Sequence, residues 1–231
     1  MDKIKWGIVS TGMIASRFAE SMRLVPDAEK TAVVSRKLDS ATQFAKKYGF
    51  RESYDDFTTM LNQAKPDIVY VAVPNDLHFK YVMQALEAGV HVLCEKPMAD
   101  NLPQLQLMYN KAKEKNLFLM EGMWSRCFPA IRTAREWIKN GEIGRVLNVR
   151  AFFDIKPDRN NWQTWKAGVK HAAGAIRDVG IYSLAMAFIG FPEYPENVYS
   201  SHLMNEEVDE HSSLMLTYAD GGSCQLSASF D

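Results

Sequence analysis

Up to about Glu121, short apolar runs and helix-period stripes alternate along the chain. Ile4–Ser10 reads as a strand entering the turn Ser10-Thr11-Gly12. From Gly12 to about Leu24, Ile14, Phe18 and Met22 recur at i, i+4, i+8 and predict one buried helix stripe. Thr31–Ser35 reads as a second strand, Asp39–Tyr48 as a helix closed by Gly49, and Tyr54–Gln63 as a helical piece ended by Pro66. Asp67–Val73 is a near-continuous apolar run stopped by Pro74, the pattern of a strand buried on both faces of a parallel sheet. A helix over Leu77–Glu87 with Gly89 as its stop, a strand over Val90–Cys94, a helix over Leu102–Lys115 and a strand over Phe118–Met120 follow. Strict alternation with short connections predicts an α/β fold with a doubly wound parallel sheet of the Rossmann type.

The pattern then changes. Phe128–Lys139 reads as a helix ended by Asn140-Gly141, Val146–Phe153 as a strand, and Asp154–Lys170 as a polar, Trp-rich loop. Ala173–Ile189 is helical, and Ser212–Tyr218 with Ser223–Phe230 reads as a hairpin across Asp220-Gly221-Gly222. We therefore expect two domains, residues 1–122 and residues 123–231. The second is an α+β domain with an open, mostly antiparallel sheet. The sequence stops inside its last antiparallel strand, which predicts an unfinished sheet edge and a piece of a longer protein.

Composition narrows the function. The 231 residues carry 27 basic and 28 acidic side chains, so no basic surplus is present to neutralise phosphates, and nucleic acid is not expected as a partner. Cys94, Cys127 and Cys224 are scattered and form no C-x-x-C pair, which suits reduced thiols in the cytoplasm and no metal site. Trp6–Val9 is too brief for a signal-peptide core, and Val179–Phe191 falls short of the ~20 residues that span a bilayer, so no membrane association is expected.

Chemistry-bearing residues gather at predicted strand ends. A dinucleotide-binding turn has G-x-G-x-x-G/A between strand and helix; here the register gives Ser10-Thr11-Gly12-Met13-Ile14-Ala15, with serine in place of the first glycine. Gly12 would let the backbone approach a pyrophosphate at the helix N-terminus, Ala15 is an allowed small residue, and Ser10 offers a hydroxyl. A plain strand–turn–helix also fits these residues. The next strand ends in Ser35-Arg36-Lys37 with no acid before Asp39. A hydroxyl and two cations match a ribose 2′-phosphate, which favours NADP over NAD, although a solvated strand end would look the same. After the Asp67–Val73 strand, Pro74, Asn75 and His78 are expected to face the ligand cleft, His78 either touching cofactor or substrate or serving structure alone. Cys94-Glu95-Lys96-Pro97 closes another strand, with a proline suited to a cis bond. Lys96 there is placed for the nicotinamide ribose or the reacting oxygen, or is a surface lysine.

The segments GIVSTGMIA, VVSR, VAVPNDLHFKYVMQALEAGVHVLCEKPMADN and LMEGMWSRCFPA, in this order, resemble the glucose-fructose oxidoreductase / inositol dehydrogenase / MocA family. The S-x-G turn, the Ser-Arg strand end and MEGMWSR resemble its dimeric dihydrodiol dehydrogenase branch. The resemblance implies cofactor contacts from Ser10, Thr11, Gly12, Met13, Ile14, Ser35, Arg36, Pro74, Asn75, His78, Glu95 and Lys96. It extends to His171–Tyr182, where an aspartate, a glycine and a tyrosine mark Asp178 and Tyr182, together with Lys96, as catalytic. In an α-helix Asp178 and Tyr182, at i and i+4, share one face; a core aromatic packed with Ile176, Val179 and Met186 is the plainer reading of Tyr182. Trp124, Arg126 and Trp162 are implied, more weakly, as substrate contacts. The chain departs from the family at Ala172-Ala173-Gly174, where glycines are usual, at Arg177, and at Gln163, where some relatives have arginine.

The implied activity is hydride transfer between a nicotinamide, NADP in preference to NAD, and a hydroxyl-bearing carbon of a sugar, polyol or diol. A non-catalytic NAD(P)-binding regulator is the alternative, against which the joint presence of Lys96, Asp178 and Tyr182 argues. Family members continue for roughly another hundred residues, and the face of their second-domain sheet builds a homodimer or higher homo-oligomer.

Overall fold

The computed structural model describes residues 3–156, 174–205 and 208–230, divided into two compact units, Met1–Gly122 and Met123–Asp231. In the first unit six parallel strands stand in the order β3-β2-β1-β4-β5-β6: β1 (Ile4–Val9), β2 (Ala28–Val34), β3 (Glu52–Tyr54), β4 (Ile68–Val71), β5 (His91–Cys94) and β6 (Leu119–Glu121). The order reverses between β1 and β4, and such a switch point places a crevice at the carboxyl ends of both strands. Helices α1 (Met13–Ser21), α2 (Leu38–Tyr48), α3 (Phe57–Ala64), α4 (His78–Glu87) and α5 (Leu102–Glu114) connect the strands.

Side-chain alternation divides the core in two. Ile8, Val33, Tyr70 and Ala72 pack with Ala15, Ala19, Ala41 and Phe44 of α1 and α2. Their strand neighbours Val9, Val34, Val69, Val71, Val92 and Cys94 pack with α3, α4 and α5 on the opposite face. Every central strand is thus covered twice, which is why its sequence reads as an unbroken apolar run. Gly49 ends α2 at φ +78°, as its position predicts.

Two local expectations are corrected. The buried stripe of α1 is Ala15 and Ala19, continued by Met22 just past its end and with Phe18 beside it, whereas Ile14 is exposed. Small residues let the helix lie close to the sheet, and the hydrophobic period alone favoured the larger ones. Tyr54 belongs to β3 and not to the following helix, which starts at Phe57 after Asp56 accepts the Thr59 N–H as its cap. Three residues on a sheet edge leave too short an alternation to detect.

In the second unit the sheet order is β7-β10-β9-β8, with β7 (Asn148–Asp154), β8 (Asn197–Asn205), β9 (Val208–Thr217) and β10 (Ser223–Ser229). The hairpin across Asp220-Gly221-Gly222 is present, pairing Ser223 with Thr217. β10 lies inside the sheet, parallel to β7 and antiparallel to β9, so the edges are β7 and β8 and the last strand is not the unfinished edge expected. Helices α6 (Pro129–Lys139) and α7 (Ile181–Gly190) belong to this unit. Ala187 and Phe191 cover one sheet face through Leu216, Tyr218, Cys224 and Leu226. Phe152, Tyr199 and Met215 are exposed along a shallow groove of about 680 Å³ lined by residues of all four strands. Among the described residues no helix is long and apolar enough to cross a membrane.

Candidate active site

The serine that replaces the first glycine of the turn adopts a glycine-like backbone. Ser10 has φ +133°, its N–H is held by the Val34 carbonyl at 3.0 Å, and its Oγ accepts the Gly12 N–H at 3.0 Å. Gly12 caps α1 with extended dihedrals, and a Cβ there would approach only Ser10 Oγ, at 3.3 Å. The first turn of α1 contains no acidic residue, and Met13 and Ile14 are exposed beside it. The hydroxyls of Thr11 and Ser35 lie 3.3 Å apart and tie the turn to the end of β2, beyond which Arg36 and Lys37 are exposed. An open helix N-terminus, a close-approach glycine and adjacent cations fit the phosphates of a dinucleotide.

Positive φ at a non-glycine residue stores strain, so Ser10→Gly is expected to be more stable than Ser10→Ala by about 1 kcal/mol or more. Chemical denaturation of both variants checks this; equal midpoints would remove the strain from the account.

His78 does not face a cleft. It is fully buried at the start of α4, with Nδ1 2.9 Å from the Pro97 carbonyl and Nε2 2.9 Å from the Val73 carbonyl. Both ring nitrogens are turned to backbone carbonyls, and the neutral ring, with its single N–H, donates to one of them, so the expected cofactor or substrate contact is replaced by a buried contact between the end of β4 and the Lys96-Pro97 loop. Burial lowers the ring's affinity for a second proton, and the two carbonyls oppose this in part. Of the neighbouring expectations, Pro74 is exposed and Asn75 half-buried.

That loop follows β5 and contains a cis Lys96–Pro97 bond. Glu95 is braced on both carboxylate oxygens: the Tyr70 hydroxyl donates to Oε1 and the Lys96 N–H to Oε2 at 3.2 Å. Glu121 Oε1 accepts the Met98 N–H at 2.9 Å. A Cβ on Gly122 would come within 3.2 Å of the Cys94 carbonyl and 3.3 Å of Glu95 Oε1, so only glycine lets β6 end this close. Burial, reinforced by the charges of Glu95 and Glu121, pushes the Cys94 thiol well up and keeps it protonated. Lys96, between Glu95 and the cis proline, is half-buried. Tyr70 and Glu121 went unnoticed in the sequence; the phenol interrupting the aliphatic run Ile68–Val73 was the available signal.

In the second unit Asp178 sits in a π-helical turn, Ile176–Gly180, leading into α7. The α-helical i, i+4 relation assumed for Asp178 and Tyr182 is therefore modified, because a π turn closes at i+5; such turns recur at functional sites. Gly180 is required there, since a Cβ would meet Ala228 Cβ at 3.0 Å and Ile176 Cδ1 at 2.7 Å. Tyr182 is half-buried in an aromatic group with Trp124 and Phe153 at ring separations of 5.8 and 5.4 Å. The Trp124 indole N–H donates to the Tyr182 hydroxyl oxygen at 2.7 Å. The phenol thus has a dedicated donor, which a simple core aromatic does not need. Trp124 and Arg126 are exposed, and Trp162 lies outside the described residues.

The first unit is a dinucleotide-binding α/β domain by strand order and turn geometry, and the second is an α+β domain presenting a tyrosine with a directed donor. A model of the oxidoreductase family with an NAD-binding Rossmann fold matches residues 4–123, and one of the GFO/IDH/MocA C-terminal domain matches residues 131–231. The chain belongs to the GFO/IDH/MocA oxidoreductase family. The trans-1,2-dihydrobenzene-1,2-diol dehydrogenase of Mus musculus is 33% identical over 226 residues, covering 94% of this chain and 66% of that protein. Among solved structures, KijD10, a 3-ketoreductase from Actinomadura kijaniata in complex with NADP, is 27% identical with a TM-score of 0.82, over 100% of this chain and 70% of that one. A levoglucosan dehydrogenase in complex with NADH and levoglucosan is 25% identical with a TM-score of 0.86, over 99% and 67%. The chain spans about two thirds of the length of these relatives.

Proposed function

We propose that this protein is an NADP-dependent oxidoreductase that interconverts a secondary alcohol or hemiacetal carbon of a sugar, polyol or diol with the corresponding carbonyl. The observation that carries the reading is the Tyr182 hydroxyl held by the Trp124 N–H, in a chain whose residues 4–123 match an NAD-binding family. The named relatives are a trans-1,2-dihydrobenzene-1,2-diol dehydrogenase, a 3-ketoreductase and a levoglucosan dehydrogenase, which supports this substrate class.

Bound NADP supplies the acceptor or donor of hydride. Ser10, Thr11, Gly12, Met13 and Ile14 line its phosphate turn, Ser35 and Arg36 hold the ribose end, and Pro74, Asn75, Glu95 and Lys96 complete its site. In oxidation the substrate O–H proton passes to the Tyr182 oxygen as the C–H bond gives up its electron pair; in reduction Tyr182 returns the proton. The N–H aimed at that oxygen fixes the orientation of the phenol, and this supports Tyr182 over Lys96 as the proton carrier. Lys96 supplies positive charge to the reacting oxygen, and Asp178 orients the substrate or the lysine. Trp124, Arg126 and Trp162 contribute to substrate contact. The three unpaired cysteines suit a reducing compartment, and we place the protein in the cytoplasm. The exposed apolar face with Phe152, Tyr199 and Met215 supports a homodimer through the second-unit sheet.

NADPH formation or consumption across a panel of sugars and diols, with NAD⁺ in parallel, tests the reading. Cofactor binding without turnover on the whole panel would favour the non-catalytic regulator instead. Arg36→Glu is expected to weaken NADPH binding about 10–100-fold and leave NADH binding within a few-fold, because hydrogen bonds to a charged phosphate are worth ~1.5–3 kcal/mol. Fluorescence titration reads both constants, and an equal loss for the two cofactors would reject NADP selectivity at this position.

A further inference from the structure

The helix that carries Asp178 and Tyr182 is anchored at its start by a residue outside every recognised motif. Asp209, on β9 and almost wholly buried, accepts the Ile176 N–H at 2.8 Å and the Ser212 O–H at 2.5 Å, both on Oδ2. Ser212 is fully buried and spends its only proton on Asp209, so its Oγ accepts from His202 Nδ1 at 2.7 Å, fixing the tautomer of that exposed imidazole. From His202 through Ser212 on one side, and from the Ile176 N–H that opens the π turn on the other, donation converges on the Asp209 carboxylate. The chain makes room for it at Gly174, whose φ of +85° and missing Cβ leave space for Oδ1; an added Cβ would lie 1.9 Å from that oxygen.

We propose that Asp209 is a positioning residue, which sets the π turn and so the placement of Asp178 and Tyr182, and does not itself touch substrate. The inference rests on the reading of Tyr182 as the proton carrier. Displacement of a reacting group by about 1 Å costs on the order of 10²-fold in rate.

The test compares Asp209→Ala, Asp209→Asn, Ser212→Ala and Tyr182→Phe in the full chain, by kcat, KM, NADPH dissociation constant and amide hydrogen exchange. Asp209→Ala is expected to lower kcat about 10–100-fold with KM and NADPH binding within about threefold, and to raise exchange selectively over residues 176–182. Asp209→Asn, whose side-chain carbonyl still accepts the Ile176 N–H, is expected to recover kcat to within about fivefold of the parent. Ser212→Ala, which removes one donor and leaves the carboxylate in place, is expected to raise exchange over the same residues and lower kcat about threefold. If Asp209→Ala does not fold, Ser212→Ala and Asp209→Asn decide, and parent-like exchange over 176–182 in Ser212→Ala overturns the proposal. Unchanged kcat and exchange in a folded Asp209→Ala overturn it as well. If Tyr182→Phe is as active as the parent, the functional reading falls and the proposal with it; if Tyr182→Phe is inactive and Asp209→Ala normal, only the proposal falls.

Discussion

Tyr182→Phe is expected to lower kcat by about 10²–10⁴-fold, the range over which a positioned acid–base group contributes, while NADPH binds within about threefold of the parent. The substitution deletes one oxygen and keeps the ring, so the packing with Phe153 and Trp124 at 5.4 and 5.8 Å survives. What disappears is the acceptor of the Trp124 N–H, an exposed donor that water can satisfy. Stability should therefore change little, and the kinetic loss reports chemistry. Lys96→Met should give a loss of similar size by removing the charge while keeping an unbranched side chain of similar length. Its backbone N–H still donates to Glu95. Initial rates and fluorescence titrations on the two variants separate turnover from cofactor binding. Parent-like turnover in both would end the assignment of these residues.

The different weights given to Lys96 and His78 show where reading a sequence stops. Both stand just after strands of the parallel sheet, and topology places both near the crevice. Side-chain direction differs: Lys96 lies in a loop, whereas His78 opens a helix and turns inward, toward two carbonyls at 2.9 Å. Nothing in Asn75-Asp76-Leu77-His78 encodes that choice. The strand–helix alternation of the first unit was legible because its central strands are compact apolar runs and Pro26, Gly49, Pro66 and Gly89 follow its first four helices. β8 was not, because Ser200, Ser201 and His202 break the apolar alternation of an edge strand. The serine at position 10 was visible as a departure, but its φ of +133° and its bond to Gly12 were not. The Trp124–Tyr182 and Ile176–Asp209 hydrogen bonds join residues 58 and 33 positions apart. Such contacts are products of folding, and no local pattern announces them.

Gly174→Ala is expected to destabilise the second unit by about 3 kcal/mol or more, against about 1 kcal/mol for Gly49→Ala in the first. The two glycines have nearly the same left-handed backbone, φ +85° and +78°, so the cost of placing a Cβ in that conformation is common to both. Their surroundings differ. Around Gly49 nothing lies within 4 Å of an added Cβ, whereas at Gly174 the Asp209 carboxylate oxygen would be 1.9 Å away. Asp209 cannot retreat without loosening the Ile176 and Ser212 hydrogen bonds, each donated to a charged acceptor and worth ~1.5–3 kcal/mol. The difference between the variants therefore isolates the collision from the backbone strain. Trp6 is the only tryptophan of the first unit and the other four belong to the second, so fluorescence weights the second unit's transition in urea. Circular dichroism follows both units in the same samples. If Gly174→Ala proved as mild as Gly49→Ala, the carboxylate would have room to move, and Asp209 would lose the tight seat from which it holds the helix start.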